Sequence, residues 1–153
     1  MSSTERLVLR PAEPEDASAV ADVYLAARRA AVPSMPPPVH PDHEVRGWLA
    51  DRLTHDETWV AEERGEVVAF ARMTAEWLDD LYVHPDHAGA GIGSALLDLV
   101  KGLRSDGFGL WVFESNHGAR RFYRRHGLAE VERTDGSGNE ERAPDVRMVW
   151  TGR

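Results

Sequence analysis

The sequence contains no cysteine, and basic residues are outnumbered by acidic ones. The first absence excludes disulfides, thiolate metal ligands and cysteine nucleophiles, and it fits a reducing compartment. With 18 Lys and Arg against 26 Asp and Glu, the formal net charge is -8, which disfavours nucleic acid or an anionic membrane as partner. No stretch approaches the ~20 apolar residues of a membrane span, and MSSTERLVLR lacks the apolar segment of a secretory signal. We therefore expect a cytoplasmic protein with no nucleic-acid or membrane partner.

The length of 153 residues predicts one domain, spanning 1–153, with a core that needs no metal or disulfide. Apolar spacing predicts the order β, α, α, β, β, β, α, β, α, β, β along the chain. The predicted strands are 7–9, 58–63, 67–74, 77–83, 110–113, 129–133 and 146–150. This order predicts a mixed α/β fold, and the strand–helix–strand crossover in its middle predicts at least one parallel pair.

Five prolines lie between Val32 and Pro41, in VPSMPPPVHP. They exclude regular helix and sheet, so this segment is predicted to be an ordered loop or a lid. His40 and His43 follow the prolines and are candidates for substrate contact, with helix capping or simple exposure as alternatives. The two histidines of HPDH without further clustered ligands make a poor metal site, so no metal is expected.

The stretch HAGAGIGSALL, residues 87–97, places glycine at three alternate positions and then begins an apolar helical pattern. A glycine turn that opens a helix directs several backbone N–H groups at one point, where the helix dipole favours an anion such as phosphate. The residues after Gly93 are Ser94 and Ala95, so the lysine of a P-loop is missing. The spacing GAGIG also departs from the GxGxxG of dinucleotide-binding folds.

Two segments resemble the GNAT superfamily of acetyl-CoA-dependent N-acyltransferases. LYVHPDHAGAGIGSALL is similar to the family's [RQ]-x-x-G-x-[GA] segment and the strand before it, with Ala88 in place of the Arg or Gln. NHGARRFYRRHGL, residues 116–128, resembles the family's N-x-x-A-x-x-F-Y-x-x-x-G-F. The resemblance implies a mixed, mostly antiparallel sheet with one central parallel pair of splayed strands, flanked by about four helices.

The resemblance also implies a set of residues that bind acetyl-CoA. The backbone of the fourth strand would bind the acetyl and pantetheine amides, the glycine segment would bind the pyrophosphate, and Asn116 would contact the pantetheine. The residues concerned are Leu81, Tyr82, Val83, Ala88, Gly89, Ala90, Gly91, Ile92, Gly93, Ser94 and Asn116. Tyr123 matches the tyrosine that serves in this family as general acid to the CoA sulfur.

The general base stays open at this stage among Glu76, Asp79 and Asp80, with Glu76 named as the catalytic candidate. Because side chains alternate along a strand, Asp79 and Asp80 point to opposite faces. Two further groups of charges have two interpretations each. The cations Arg120, Arg121, Arg124 and Arg125 lie near the CoA 3'-phosphate or on a solvated helix face, and Asp135, Glu140, Glu141 and Asp145 bind a cationic acceptor or form a solvated loop.

The sequence thus predicts an N-acetyltransferase that moves an acetyl group from acetyl-CoA to a primary amine of a small molecule or peptide, by direct transfer in a ternary complex. The alternative is a catalytically silent acyl-CoA-binding or regulatory module on the same fold. A homodimer is a possible assembly, as in similar proteins. The identity of the acceptor is not encoded in any motif of the chain.

Overall fold

The computed structural model describes residues 7–153. Within this range the element order is the predicted one, with a short 3-10 turn before α1 and another before α3. The strands are β1 Leu7–Pro11, β2 Glu57–Glu63, β3 Glu66–Met73, β4 Leu78–Val83, β5 Phe108–Phe113, β6 Ala129–Arg133 and β7 Asp145–Trp150. The helices are α1 Ala17–Ala31, α2 Asp42–His55, α3 Ile92–Leu103 and α4 His117–Arg125.

The strands form two antiparallel sheets rather than one mixed sheet. Strands β1, β2, β3 and β4 form the first in that order, and β5, β7 and β6 form the second. The expected central parallel pair of β4 and β5 is not a hydrogen-bonded ladder. It is reduced to one parallel bridge between Trp77 and Gly109, where the Gly109 N–H donates to the Glu76 carbonyl over 2.9 Å.

The β4–β5 junction is closed at the end where this bridge lies. A Cβ built on Gly109 would lie 3.1 Å from the Trp77 ring, so the indole packs directly on the glycine backbone. Beyond the bridge β4 continues its antiparallel pairing with β3, while β5 pairs with β7. Because β4 belongs to the first sheet and β5 to the second, the two strands separate there and a cleft opens between them.

Strand β3 forms the centre of the core because helices cover both of its faces. All residues from Val68 to Met73 are buried, as expected for a strand that is solvated on neither side. Phe70 packs with α1 on one face, whereas Ala69 and Ala71 pack with α3 on the other. In α3 the apolar spacing predicted from the sequence places Ile92, Leu96 and Val100 in the core.

The proline segment between α1 and α2 is irregular, as predicted, and runs beside the open end of the cleft, where Met35 lines the cavity. No helix within residues 7–153 combines the length and apolar character needed to cross a bilayer.

Candidate active site

The cleft between β4 and β5 encloses a cavity of about 140 Å³. One wall is β4 from Leu78 to Tyr82, and the opposite wall is β5 from Leu110 to Phe113. Residues of α4 and its N-terminus, Asn116 and Tyr123, line the same cavity. Since alternate residues of a strand direct their N–H and C=O groups to opposite edges, β4 presents unpaired backbone groups to this opening. The cleft can therefore bind an extended amide-containing chain by strand-like hydrogen bonds.

The glycine segment lies at the N-terminus of α3, next to the end of β4. Gly89 and Gly91 have φ of 82° and 80°, a left-handed conformation that other residues adopt only with strain. A Cβ at either position would meet no atom within 4 Å, so both glycines border open space. Gly91 is the N-cap of α3, and no side chain caps the helix. The first N–H groups of α3 thus lack side-chain acceptors, which suits an anion.

A matched pair of glycines in the same helix tests this conformational requirement. Gly91→Ala is expected to lower the free energy of unfolding by about 1–2 kcal/mol, since alanine is strained at a left-handed N-cap. Gly102→Ala is expected to raise it by about 0.5–1 kcal/mol, because Gly102 lies inside α3 with nothing within 4 Å of the added Cβ. Urea denaturation of both variants measures the difference. Equal effects of the two substitutions would contradict the requirement at Gly91.

Gly93 differs from the other two glycines. A Cβ on it would lie 3.6 Å from the Phe122 ring and 3.7 Å from a Val83 methyl group, so this position faces α4 and β4 rather than solvent. Ser94 is also engaged with α4, because its hydroxyl lies 3.1 Å from His126 Nε2. The segment 88–94 thus combines an open, anion-facing turn with a second part that fixes α3 against α4.

Tyr123 lies in the second turn of α4 and lines the cleft together with Leu81 and Tyr82. Its ring packs edge-on against Phe122, with ring centroids 5.3 Å apart. Burial, and then the nearby Asp80 carboxylate, raise the pKa of the Tyr123 phenol well above its ordinary value. The phenol is therefore protonated at neutral pH and available as a hydrogen-bond donor within the cleft.

Asp80 lines the cleft with Tyr123, and so do Asp79 and Asp145. Asp80 is the buried one of the three, and its Oδ2 accepts a hydrogen bond from Arg72 Nε over 2.7 Å. Arg72 also donates to Asp56 Oδ2 over 2.6 Å, so one buried guanidinium serves two carboxylates. Burial raises the pKa of Asp80, although the Arg72 charge acts in the opposite direction. A carboxylate with a raised pKa is a better proton acceptor than an ordinary aspartate.

The other two candidate bases occupy different surroundings. Asp79 lines the cleft opening but is exposed, and its Oδ2 accepts a hydrogen bond from the Thr74 hydroxyl over 2.8 Å. Glu76 is exposed and lines a separate cavity at the closed end of the junction, together with Trp77 and Arg104. The structure thus brings Asp80 and Tyr123 together in one cavity and leaves Glu76 outside it.

Asn116 and the arginines of α4 complete this side of the site. Asn116 is the N-cap of α4, where its Oδ1 accepts from the Ala119 N–H over 3.3 Å. Arg120 is buried and donates to Glu130 and to the Glu114 carbonyl, so it is a structural residue. Arg124 is half-exposed and pairs with Glu130, whereas Arg121 and Arg125 are exposed and make no ion pair with other residues of 7–153. Arg120 and Arg124 are therefore paired with Glu130, whereas Arg121 and Arg125 face solvent.

The proline segment and the loop between β6 and β7 meet near the open end of the cleft. His40 contacts Glu140 through Nε2 and Glu44 through Nδ1, each at 3.1 Å. Both carboxylates raise the pKa of the His40 imidazole, with the larger contribution from Glu140. Arg28 is buried, donates to the Tyr24 hydroxyl over 2.9 Å, and lies 3.9 Å from Glu141. His43 is exposed and does not line the cavity in which His40 lies.

Several of these residues were missed by sequence reasoning. Arg72, Arg28 and Tyr24 carry no motif. Arg72 binds Asp80 in the cleft, whereas Arg28 donates to the Pro36 carbonyl and to Tyr24. Tyr24 in turn packs against Tyr82 of the cleft. The charge of Arg72 inside the apolar run Val67–Met73 was the available signal, because a buried cation requires an anionic partner. Within residues 7–153, no three His, Asp or Glu side chains are grouped so that they could hold a metal ion.

The fold and the cleft define a GNAT-type α/β protein, and comparison with known proteins gives the same family. Residues 54–128 match the family model of the acetyltransferase (GNAT) domain. An uncharacterized N-acetyltransferase of Archaeoglobus fulgidus is 34% identical over 108 residues, which cover 61% of this chain and 72% of the relative. The peptidyl-lysine N-acetyltransferase YjaB of Salmonella typhimurium is 32% identical over 97 residues, which cover 60% of this chain and 63% of the relative. The chain therefore belongs to the GNAT family of N-acetyltransferases.

A solved structure shares the fold at low sequence identity. The PaiA N-acetyltransferase of Thermoplasma acidophilum, whose structure is a complex with coenzyme A, superposes with a TM-score of 0.74 at 17% identity and covers 99% of both chains. The matches to the curated relatives are partial, because this chain spans between 44% and 72% of the length of each of them.

Proposed function

We propose that this protein is a single-domain enzyme that transfers an acetyl group from acetyl-CoA to a primary amine of a small molecule or peptide, directly within a ternary complex. The observation that carries the proposal is the β4–β5 cleft, because one cavity collects unpaired β4 backbone, a protonated Tyr123 and the buried carboxylate of Asp80. A peptidyl lysine is one acceptor of the proposed class, and a relative bears that activity in its name.

The residues present suit acetyl-CoA. The backbone of Leu81, Tyr82 and Val83 would bind the acetyl and pantetheine amides along the open edge of β4, and Asn116 would contact the pantetheine from the start of α4. The turn from Ala88 to Gly91 would bind the pyrophosphate, since its two left-handed glycines leave the approach to the uncapped N-terminus of α3 open. Most of these contacts come from the backbone, so Ala88 in place of the family's Arg or Gln removes only one side-chain contact. Arg121 and Arg125 would meet the 3'-phosphate.

Acetyl-CoA supplies the thioester whose acetyl group is transferred. The chain must provide a neutral amine, and holding an amine of pKa about 10.4 neutral at pH 7 costs about 4.6 kcal/mol. Asp80 accepts the amine proton, directly or through a water molecule, and this buried carboxylate replaces Glu76 as our proposed base. A β4 backbone N–H on the open edge stabilises negative charge on the acetyl oxygen.

Tyr123 acts on the sulfur that departs when the new C–N bond forms and the C–S bond breaks. A thiol of pKa about 8.5 is a stronger acid than the phenol of Tyr123, whose pKa is raised further by burial and by Asp80. Complete proton transfer from Tyr123 to the thiolate is therefore uphill. The phenol instead stabilises the developing sulfur charge by a hydrogen bond during bond cleavage. Solvent then protonates the released thiolate and takes up the proton held by Asp80.

Two measurements test the proposal. Calorimetry with acetyl-CoA, ATP and NAD is expected to detect binding of acetyl-CoA alone, and failure to bind acetyl-CoA overturns the assignment. Thiol release is then followed across polyamines, amino acids, aminoglycosides and N-terminal or lysine-containing peptides. Acetyl-CoA binding with background release for every amine would instead identify a silent acyl-CoA-binding module.

A further inference from the structure

A second cavity of about 520 Å³ lies between α1, α2 and the β6–β7 loop. Its volume is typical of a small-molecule site. The lining residues are Tyr24, His40, Glu44, Val45, Trp48 and Glu140. We call it the aromatic-acidic cavity, because two aromatic rings and two carboxylates supply most of its wall. Apart from His40 and Glu140, these residues carried no functional prediction from the sequence.

The charges of the aromatic-acidic cavity favour a cation. The side chains of Glu44 and Glu140 are 53% and 65% exposed, and within residues 7–153 His40 is the side chain that contacts them. Even with His40 protonated, the two carboxylates leave this opening with a net negative charge. The raised pKa of His40 shows the same preference, since this position stabilises a positive charge on the imidazole. The nearby cations Arg72 and Arg28 are already engaged, with Asp80 and with Tyr24.

The aromatic rings reinforce this preference. The guanidinium of Arg72 lies 4.8 Å from the centre of the Trp48 ring, and that of Arg28 lies 5.7 Å from the centre of the Tyr24 ring. Cations are attracted to the faces of such rings. Trp48 is nevertheless 48% exposed, so much of its surface remains available to a ligand.

The aromatic-acidic cavity and the β4–β5 cleft are linked by a packed aromatic pair, one ring of which lines each of them. The ring of Tyr24 packs edge-on against the ring of Tyr82, with centroids 5.0 Å apart. Tyr82 lines the cleft, whereas Tyr24 lines the aromatic-acidic cavity. An elongated acceptor that lies alongside this pair would place one end in the cleft and the other in the cavity.

We propose that the aromatic-acidic cavity binds a second cationic group of the acceptor while the reacting amine lies in the cleft. Preferred acceptors are then aliphatic amines that carry two positive charges separated by several methylene groups. The inference rests on the proposed acetyl transfer and adds its specificity. Glu44, Glu140 and Trp48 are the residues that determine the preference.

Cadaverine and pentylamine form a matched pair of probes, since they share a five-carbon chain and differ in the second amine. We expect kcat/KM for cadaverine to exceed that for pentylamine by about tenfold, mainly through KM. Glu140→Gln is expected to reduce this ratio by about two- to fivefold, as for one partly exposed ion pair, and Glu44→Gln with Glu140→Gln by about tenfold. Glu66→Gln, an exposed charge at the β2–β3 turn, is the control and should leave the ratio unchanged.

Equal kcat/KM for the two probes in the unmodified protein, or an unchanged ratio in the double variant, would overturn the inference. Calorimetric binding of cadaverine against pentylamine provides a readout that needs no turnover. Tighter cadaverine binding that is lost in the double variant supports the cavity even where acetyl transfer fails, and equal binding of both amines there rejects it. Failure of the proposed function and failure of the cavity are thus distinguishable.

Discussion

Tyr123→Phe should lower kcat by about 10² to 10³, the range expected for removing one hydrogen-bond donor to a charge that develops in the transition state, while the KM for acetyl-CoA changes little. The phenol lies in the cleft, and its raised pKa keeps it protonated. Phenylalanine preserves the ring and its packing against Phe122 but removes the donor. Steady-state kinetics with saturating amine, and calorimetry with acetyl-CoA, measure the two effects separately.

Tyr82→Phe provides the comparison, because it removes a second phenol from the same cleft while the ring stays packed against Tyr24 and Phe70. We expect it to change kcat by less than tenfold. The raised pKa of Tyr123 also predicts that turnover shows no alkaline loss from this group below pH 10, the ordinary phenol value. Unchanged kcat in Tyr123→Phe, or equal losses in both variants, would contradict the role of Tyr123 in thiolate departure.

The local pattern of the chain was sufficient for the element order and for most element bounds. The period of Ile92, Leu96 and Val100 predicts α3, and the structure has the helix at Ile92–Leu103. The division into two sheets was not predictable in the same way, because it depends on which strands pair over long distances. The bridge of Trp77 and Gly109 that replaces the parallel ladder is one such contact.

The candidate site was predictable where a motif carries it. The glycine turn and Tyr123 follow from the resemblance, and the positive φ of Gly89 and Gly91 agrees with the open approach expected there. Gly93 lies in different surroundings from Gly89 and Gly91, since a Cβ there would be in ordinary van der Waals contact with Phe122 and Val83. The choice among the acidic residues needed the structure, because strand alternation separates Asp79 from Asp80 without saying which face meets the cleft.

Replacing Arg72 by methionine is expected to lower the free energy of unfolding by about 3–5 kcal/mol at neutral pH, because it leaves the buried Asp80 carboxylate without its hydrogen-bonded counter-charge. Asp56 keeps a second cation, since Arg52 lies 3.7 Å away. Arg72 and Asp80 have side chains that are 8% and 9% exposed, and Asp56 is 10% exposed. Arg147→Met is the control, since Arg147 is 33% exposed and pairs with a half-exposed Glu132. That surface pair should contribute no more than about 1 kcal/mol. Urea denaturation compares the two variants.

The pH dependence of this destabilisation identifies Asp80 as its source. Burial already raises the pKa of Asp80 in the folded protein, and removing the opposing Arg72 charge raises it further. A carboxyl group whose pKa is higher in the folded than in the unfolded protein stabilises the fold at pH values below the unfolded pKa. This contribution is lost as the pH rises through the pKa of the folded protein. The cost of Arg72→Met should therefore be smaller in acid and grow toward neutral pH.

Adding Asp80→Asn should recover part of the loss, because the double variant buries one uncompensated carboxylate fewer. A cost that is independent of pH, or no recovery in the double variant, would mean that Arg72 stabilises the fold through its packing under Trp48 instead.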